Sequence, residues 1–206
     1  MEAFWDWFFP PRCPGCAEAQ GPYWCAGCEA QLKPARFEVA PGLDAWTCGV
    51  YSGGLQRAIL RFKGDHRASL QRGLSEVLAR LDLPSDLTAV VPVPSPARRL
   101  RYRGHNPVAL LARPLALCLG VPLRNALACT GGGAAAKGLS SQERRQAEAR
   151  FFATAALEGH VQLVDDVVTT GSTASECAQR LLEAGAGRVS VAALARADLR
   201  KARAAG

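Results

Sequence analysis

No acidic residue occurs between Leu87 and Gln142. That block holds Arg98, Arg99, Arg101, Arg103, Arg113, Arg124 and Lys137, seven of the 25 Lys and Arg, and the other 18 balance the 18 acids. The net charge of +7 therefore arises wholly inside it. A stretch without carboxylates excludes a cationic partner there and suits an anion, either a polyphosphate or a nucleic acid. Lysine is scarce as well, four residues against 21 arginines. Arginine favours bidentate phosphate contacts and stacking on bases, although a GC-rich genome produces the same bias. Uncharged apolar runs of about eighteen residues are missing, which excludes a membrane-spanning helix. The opening Met1 to Pro11 is apolar but lacks a basic segment, is broken by Asp6 and ends in two prolines. It is not expected to be a secretion signal. Trp5, Phe8 and Phe9 are expected to pack on the main body, a reading preferred to surface anchoring because no basic residue accompanies them. The expected compartment is the cytoplasm. Gly131 to Gly138 fails as a phosphate-binding P-loop: Ala136 precedes Lys137 and no Ser or Thr follows it directly. There is no second nucleotide-triphosphatase motif either, so a motor or helicase role is not expected.

The most informative stretch is Asp165-Asp166-Val167-Val168-Thr169-Thr170-Gly171-Ser172-Thr173. The apolar run Val161 to Val164 before it reads as a buried parallel strand. Ala174 to Ala184 after it reads as a helix closed by Gly185. Two carboxylates thus end a strand, and a hydroxyl-rich loop leads into a helix N-terminus. Ligands of open α/β sheets bind at that edge, and the helix start with its hydroxyls favours a phosphate. The acids need a different partner, namely sugar hydroxyls, a Mg²⁺ ion, or both. A phosphorylated ribose satisfies both halves. The plainer reading, a junction capped by Thr173, accounts for one hydroxyl and leaves the acids unexplained. The segment Val164 to Thr173 resembles the phosphoribosyl-pyrophosphate (PRPP) signature of type I phosphoribosyltransferases. That resemblance implies that Asp165 and Asp166 hold the ribose hydroxyls and that Thr169, Thr170, Gly171, Ser172 and Thr173 wrap the 5′-phosphate.

Cys13-Pro14-Gly15-Cys16 and Cys25-Ala26-Gly27-Cys28 form two Cys-x₂-Cys knuckles separated by eight residues. Gly15 and Gly27 allow tight turns, so four thiolates can face one tetrahedral Zn²⁺. Eight residues suffice for a small hairpin carrying Tyr23 and Trp24. Two disulfides or a redox dithiol are the competing readings. A reducing compartment argues against the former, and the latter needs only one knuckle. Four sulfur ligands leave no open position, so the zinc is expected to be structural. Cys48, Cys118, Cys129 and Cys177 stand singly in apolar contexts and read as core thiols.

Between these motifs, Pro34 to Asp44 reads as a linker and Trp46 to Tyr51 as a strand. Gly54 to Lys63 and Ala68 to Leu81 have helical periodicity, and Thr88 to Val93 is an apolar strand. A loop from Ser95 to Pro107 follows, with four arginines and Tyr102, then a helix over Val108 to Leu119 and a strand over Pro122 to Cys129. Thr130 to Ser141 contains three consecutive glycines and is expected to be a mobile loop, with a polar helix over Gln142 to Arg150. Val189 to Leu194 is the last strand. Strands alternating with helices imply a parallel sheet. His105 reads first as a packing or capping residue.

In this order, the two knuckles, Phe62-Lys63-Gly64, Val91-Pro92-Val93-Pro94, Arg103-Gly104-x-Asn106, Lys137-Gly138-Leu139-Ser140 with Arg144-Arg145, and the PRPP signature resemble the ComF family of competence proteins over nearly the whole chain. The resemblance implies an α/β fold, a type I phosphoribosyltransferase-like parallel sheet with helices on both faces, over residues 35–206. It also implies a small zinc-ribbon-like appendage over 1–34. The loop after Val93 would hold the pyrophosphate side of PRPP, and Thr130 to Arg150 would close over the site with Lys137 and Arg144 as candidate catalytic charges. The family handles incoming single-stranded DNA during natural transformation. Arg98, Arg99, Arg101, Tyr102 and Arg103 are the candidate DNA-binding residues. Expected ligands are structural Zn²⁺, Mg²⁺ with PRPP, and single-stranded DNA, and expected partners are other competence proteins such as a DNA-translocating ATPase. The competing expectation is an active phosphoribosyltransferase with an unidentified acceptor.

Overall fold

The computed structural model describes residues 12–18, 24–64, 68–129 and 150–197. The described elements are helix α1 (Ala26–Glu29), strands β1 (Ala35–Ala40) and β2 (Leu43–Thr47), helices α2 (Gly53–Gly64) and α3 (Ala68–Ala79), strand β3 (Leu87–Pro92), helices α4 (Ala97–Arg103) and α5 (Pro107–Leu119), strands β4 (Leu127–Cys129), β5 (Phe151–Ala153) and β6 (His160–Val168), helix α6 (Ser172–Glu183) and strand β7 (Arg188–Arg196). The expectations for Trp5, Phe8, Phe9, Tyr23, Lys137 and Arg144, and for the mobile loop and polar helix around the last two, lie outside the described residues.

Five strands form one sheet in the order β1-β2-β7-β6-β3. Strands β2, β7, β6 and β3 run parallel, and β1 pairs antiparallel with β2 as an edge. The inner strands β6 and β7 read as continuous apolar runs because both faces are covered. On one face, Ile59 and Phe62 of α2, Leu74 and Leu78 of α3, and Leu111 and Leu115 of α5 meet Val164 and Leu194. On the other, Cys177 and Leu181 of α6 meet Val161, Leu163 and Val191. The expected α/β fold class is present, with a mixed rather than wholly parallel sheet.

Three local expectations are corrected. The expected linker Pro34 to Asp44 contains β1 and the start of β2; Ala35 to Ala40 alternates between half-buried and exposed positions, as an edge strand does. The Arg-rich loop contains helix α4, which buries no side chain and so leaves no apolar period in the sequence. The expected strand Pro122 to Cys129 is split. Leu123 bridges β3 at Val90, and only Leu127–Cys129 is a strand, antiparallel to Phe151–Ala153 in a separate two-stranded sheet.

The cysteine knuckles sit directly on this framework. Cys13, Trp24 and Cys28 belong to the core beneath α2 and α3. The Trp24 indole donates to the Gly73 carbonyl of α3 at 3.0 Å, which satisfies its one polar atom inside an apolar contact.

Candidate functional site

The site begins where β6 leaves the sheet. Successive strand side chains point to opposite faces, so the two adjacent acids diverge. Asp165 shares the face of Val161 and Leu163 under α6, and its Oδ1 accepts the Asp166 N–H at 2.8 Å. Asp166 turns toward α2, where Lys63 Nζ lies 2.8 Å from its Oδ2. Burial, then the charge of Asp166, push the Asp165 carboxyl up to about 7. At neutral pH one acid is thus partly protonated and the other already paired. Such a pair has the acceptors to hydrogen-bond hydroxyl groups without a large uncompensated charge.

Beyond Val168 the chain turns through Thr169 and Thr170 into α6. Gly171, at φ +80°, is the residue before the helix, and it offers no side-chain cap. The plainer reading, a junction capped by Thr173, is therefore not the arrangement found. Thr170 Oγ1 instead accepts the Ser172 N–H at 3.4 Å and donates to Ser172 Oγ at 3.2 Å. Thr169, Thr170 and Ser172 are exposed and Thr173 half-buried, so three hydroxyls and the start of a 12-residue helix face solvent together. Helix N–H groups and hydroxyl donors converge here, an arrangement chemically able to accept an anion.

Strand β3 ends beside β6, with Pro92 paired to Val164 and the Val93 N–H donating to the Val164 carbonyl at 2.8 Å. The basic helix α4 therefore leaves the same sheet edge that carries the acids. Asn106 closes the base of this excursion. Its Nδ2 donates to the Val93 carbonyl at 2.9 Å, and its Oδ1 accepts from Ser95 Oγ at 3.0 Å and from the Val108 N–H at 3.1 Å. One side chain thus caps α5 and pins both ends of the Arg segment. Arg98, Arg99, Arg101 and Tyr102 are exposed, Tyr102 at 91%, and Arg103 is half-buried. The structure brings Asp165, Asp166 and the hydroxyl loop into one place and sets α4 on the same edge. Lys63 and Asn106 carry more of the site than their sequence context conveys. For Asn106 the signal was present: Asn followed by Pro at the first helical position is a strong start pattern. Lys63 stood out only as part of the Phe62-Lys63-Gly64 segment, and its pairing with Asp166 had no signal because the partner is distant in sequence.

The four knuckle cysteines bring their Sγ atoms within 4.8 Å of one another, with Cys16 and Cys25 at 3.9 Å. Zn–S bonds of about 2.3 Å in a tetrahedron require sulfurs about 3.8 Å apart, so the donor set fits Zn²⁺ closely. A Cβ on Gly15 would lie 2.7 Å from Cys28 Sγ, which is why the first knuckle needs glycine there. Burial opposes ionisation of Cys13, but the N–H groups of Cys25, Cys16 and Gly15 bring its thiol below the usual value. Burial and the neighbouring Cys25 and Cys13 sulfurs push Cys28 up to about 12. Among the described residues this is the one cluster with metal-ligand geometry. Cys48 is buried and donates to the Val77 carbonyl at 3.4 Å, a core thiol as expected.

A second polar constellation lies at the opposite end of the sheet. His160 bridges Asp86 at 2.8 Å and Ser190 at 2.9 Å, and Ser190 Oγ donates to Gln162 Oε1 at 2.8 Å. The order Asp-His-Ser matches a hydrolytic triad, yet Ser190 is 0% exposed and its proton is committed to Gln162. It is a structural network in the core.

A double zinc ribbon domain model matches residues 4–39. Competence protein F of Haemophilus influenzae is 30% identical, over 84% of this chain and 90% of that protein. The DNA utilization protein YhgH of Escherichia coli K12 is 34% identical, over 73% of this chain and 70% of that protein. Among solved structures, adenine phosphoribosyl transferase from Trypanosoma brucei aligns with a TM-score of 0.46 at 16% identity, over 83% of this chain and 78% of that one. Orotate phosphoribosyltransferase from Aeropyrum pernix aligns at 0.42 and 19% identity, over 82% of this chain and 77% of that one. No described helix is long and apolar enough to cross a membrane. With that extent of identity, and with its cysteine cluster inside a zinc ribbon match, the chain belongs to the ComF/YhgH family of competence and DNA utilization proteins.

Proposed function

We propose that the protein binds PRPP at the β6–α6 edge and single-stranded DNA along α4, as a cytoplasmic DNA-handling component of natural transformation. The observation that carries this reading is the convergence on one sheet edge of an acid pair, an uncapped hydroxyl loop and an exposed basic helix. Asp165 and Asp166 take the ribose hydroxyls. Thr169 to Thr173 take the 5′-phosphate through hydroxyls and helix N–H groups. Mg²⁺ arrives with the pyrophosphate, since Lys63 already balances Asp166. On α4, Arg98, Arg99, Arg101 and Arg103 track phosphates, and Tyr102, 91% exposed, offers a face for base stacking. Other competence proteins, a DNA-translocating ATPase among them, are the partners this role calls for.

The test combines two titrations. PRPP with Mg²⁺ is titrated by calorimetry into the wild-type chain and into Asp165→Asn/Asp166→Asn, where binding is expected to be lost. Fluorescence anisotropy with a labelled single strand is read across a salt series for wild type and for Arg98→Ala/Arg99→Ala/Arg101→Ala/Arg103→Ala. Each lost phosphate contact flattens the salt slope by about 0.7. Equal slopes would remove α4 from the DNA surface.

The second reading is transfer of ribose 5-phosphate from PRPP to an acceptor, favoured by the same placement of acids and anion loop. Positioning and charge stabilisation would carry that reaction. Release of pyrophosphate from PRPP in the presence of bases or DNA ends separates it from binding alone.

A further inference from the structure

The geometry points to helix α2 as a rigid link between the cysteine cluster and the ligand edge, with Lys63 as the positioning residue at its far end. Both knuckles are hydrogen-bonded to this one helix. Arg57 Nε and Arg61 Nη2 each donate to the Gly15 carbonyl of the first knuckle, both at 2.9 Å. They stand one turn apart on one face, so they fix the helix in rotation as well as position. Gln31 spans the second knuckle and the helix start: its Nε2 donates to the Gly27 carbonyl at 3.0 Å, and its Oε1 accepts the Gly54 N–H at 3.2 Å. Contact is close enough that a Cβ on Gly54 would lie 3.4 Å from Cys28 Sγ and from Gly15 Cα.

The helix between these ends cannot yield locally. Leu55, Ala58, Ile59 and Phe62 are all 3% exposed or less. A 12-residue helix is about 18 Å long, and a close-packed helix shifts as a body rather than bending. At its C-terminal end Lys63 holds Asp166 at 2.8 Å. The Gly15 carbonyl belongs to the Cys13–Cys16 turn, which a bound zinc would close. Loosening that turn frees the two arginines, lets α2 move, and withdraws Lys63 from Asp166. Metal occupancy at the knuckles thereby sets the order of the β6–α6 edge. The ligand arm of the test below rests on the PRPP reading; the exchange arm does not.

Arg57→Gln/Arg61→Gln cuts the link to the first knuckle, while leaving all four cysteines and the Gln31 contacts in place. Hydrogen exchange is followed by mass spectrometry on the zinc-loaded full chain, with zinc content measured alongside. The expected result is one zinc per chain and faster exchange confined to residues 53–64 and 165–173, with residues 107–119 unchanged. Lys63→Met is expected to reproduce the change at 165–173 alone, with zinc retained. PRPP affinity is expected to fall about fivefold or more, the lower end of ordinary coupling between sites. Where the double variant does not fold, the single Arg61→Gln, which keeps the Arg57 bond to Gly15, is expected to show the same change at 165–173 in weaker form. Unchanged exchange at 165–173 with zinc bound overturns the proposal, and so does a uniform rise across the chain, which marks general destabilisation. A wild-type chain that fails to bind PRPP defeats the ligand assignment and leaves the exchange result to decide the link.

Discussion

Gly171 packs against Val39 so tightly that a Cβ placed on it would lie 2.1 Å from Val39 Cγ1. The hydroxyl loop is therefore moulded against the edge strand β1, and two constraints coincide at this glycine: φ +80° and no room for a side chain. Gly171→Ala is expected to destabilise by about 2–4 kcal/mol, combining left-handed strain with overpacking. Val39→Ala added to it should recover the steric part and leave the strain. Urea unfolding of the two single variants and the double variant measures both, and additive effects would disprove the contact.

The purified chain is expected to carry one zinc, held by Cys13, Cys16, Cys25 and Cys28. Because Trp24, Cys13 and Cys28 share a core with α2 and α3, Cys28→Ser should lower the melting of the main body together with the knuckles, in one transition. Metal analysis and calorimetry report the two outcomes. A metal-free variant melting at the wild-type temperature would show that the knuckles contribute nothing to the framework.

Asp165 predicts an unusual pH dependence. Its folded-state pKa, about 7, lies above the ordinary 3.8. The folded chain therefore binds more protons than the unfolded chain between these values. The stabilising contribution is full below pH 3.8 and is lost as pH rises through 7. Asp165→Asn should accordingly raise the melting temperature at pH 8 and lose this advantage near pH 4. Asp165 is half-buried as a residue rather than sealed in the core, so the gain at pH 8 is on the order of 1–2 kcal/mol rather than the full value of the shift. A pH-independent difference in melting would contradict the assignment. The same variant should bind PRPP more weakly, the ordinary exchange of stability against function at a site.

Ser190→Ala should leave His160 Nε2 and Gln162 Oε1 without their shared partner inside the core. A loss of about 1–3 kcal/mol is expected in urea unfolding, the magnitude for a buried polar group left unpaired. Zinc content and PRPP affinity should not change, since the network lies at the other end of β6.

The helices over 53–64 and 68–79 were legible because each has a wide apolar stripe at helical spacing. β1 was hidden by Pro34, Pro41 and Gly42 on either side, although Phe37 and Val39 alternate with Arg36 and Glu38. α4 was hidden for the opposite reason: charge on every side erases the period that marks a buried helix. The acid pair and hydroxyl loop were readable because all their residues are consecutive. The divergence of the two carboxylates was implicit in strand alternation, but which helix each one meets was not.

By itself the sequence determined the local chemistry: four sulfurs on two tight turns, two acids before a hydroxyl loop, and arginines clustered in a block without acids. Each depends on neighbours in the chain, and backbone geometry over a few residues suffices to bring the groups together. Tertiary structure alone decided that Lys63 pairs with Asp166, that Asn106 pins the Arg segment to Val93, and that Arg57 and Arg61 tie α2 to Gly15. These contacts join segments far apart in the chain, and their distances follow from strand order and helix packing. No spacing along the sequence encodes them.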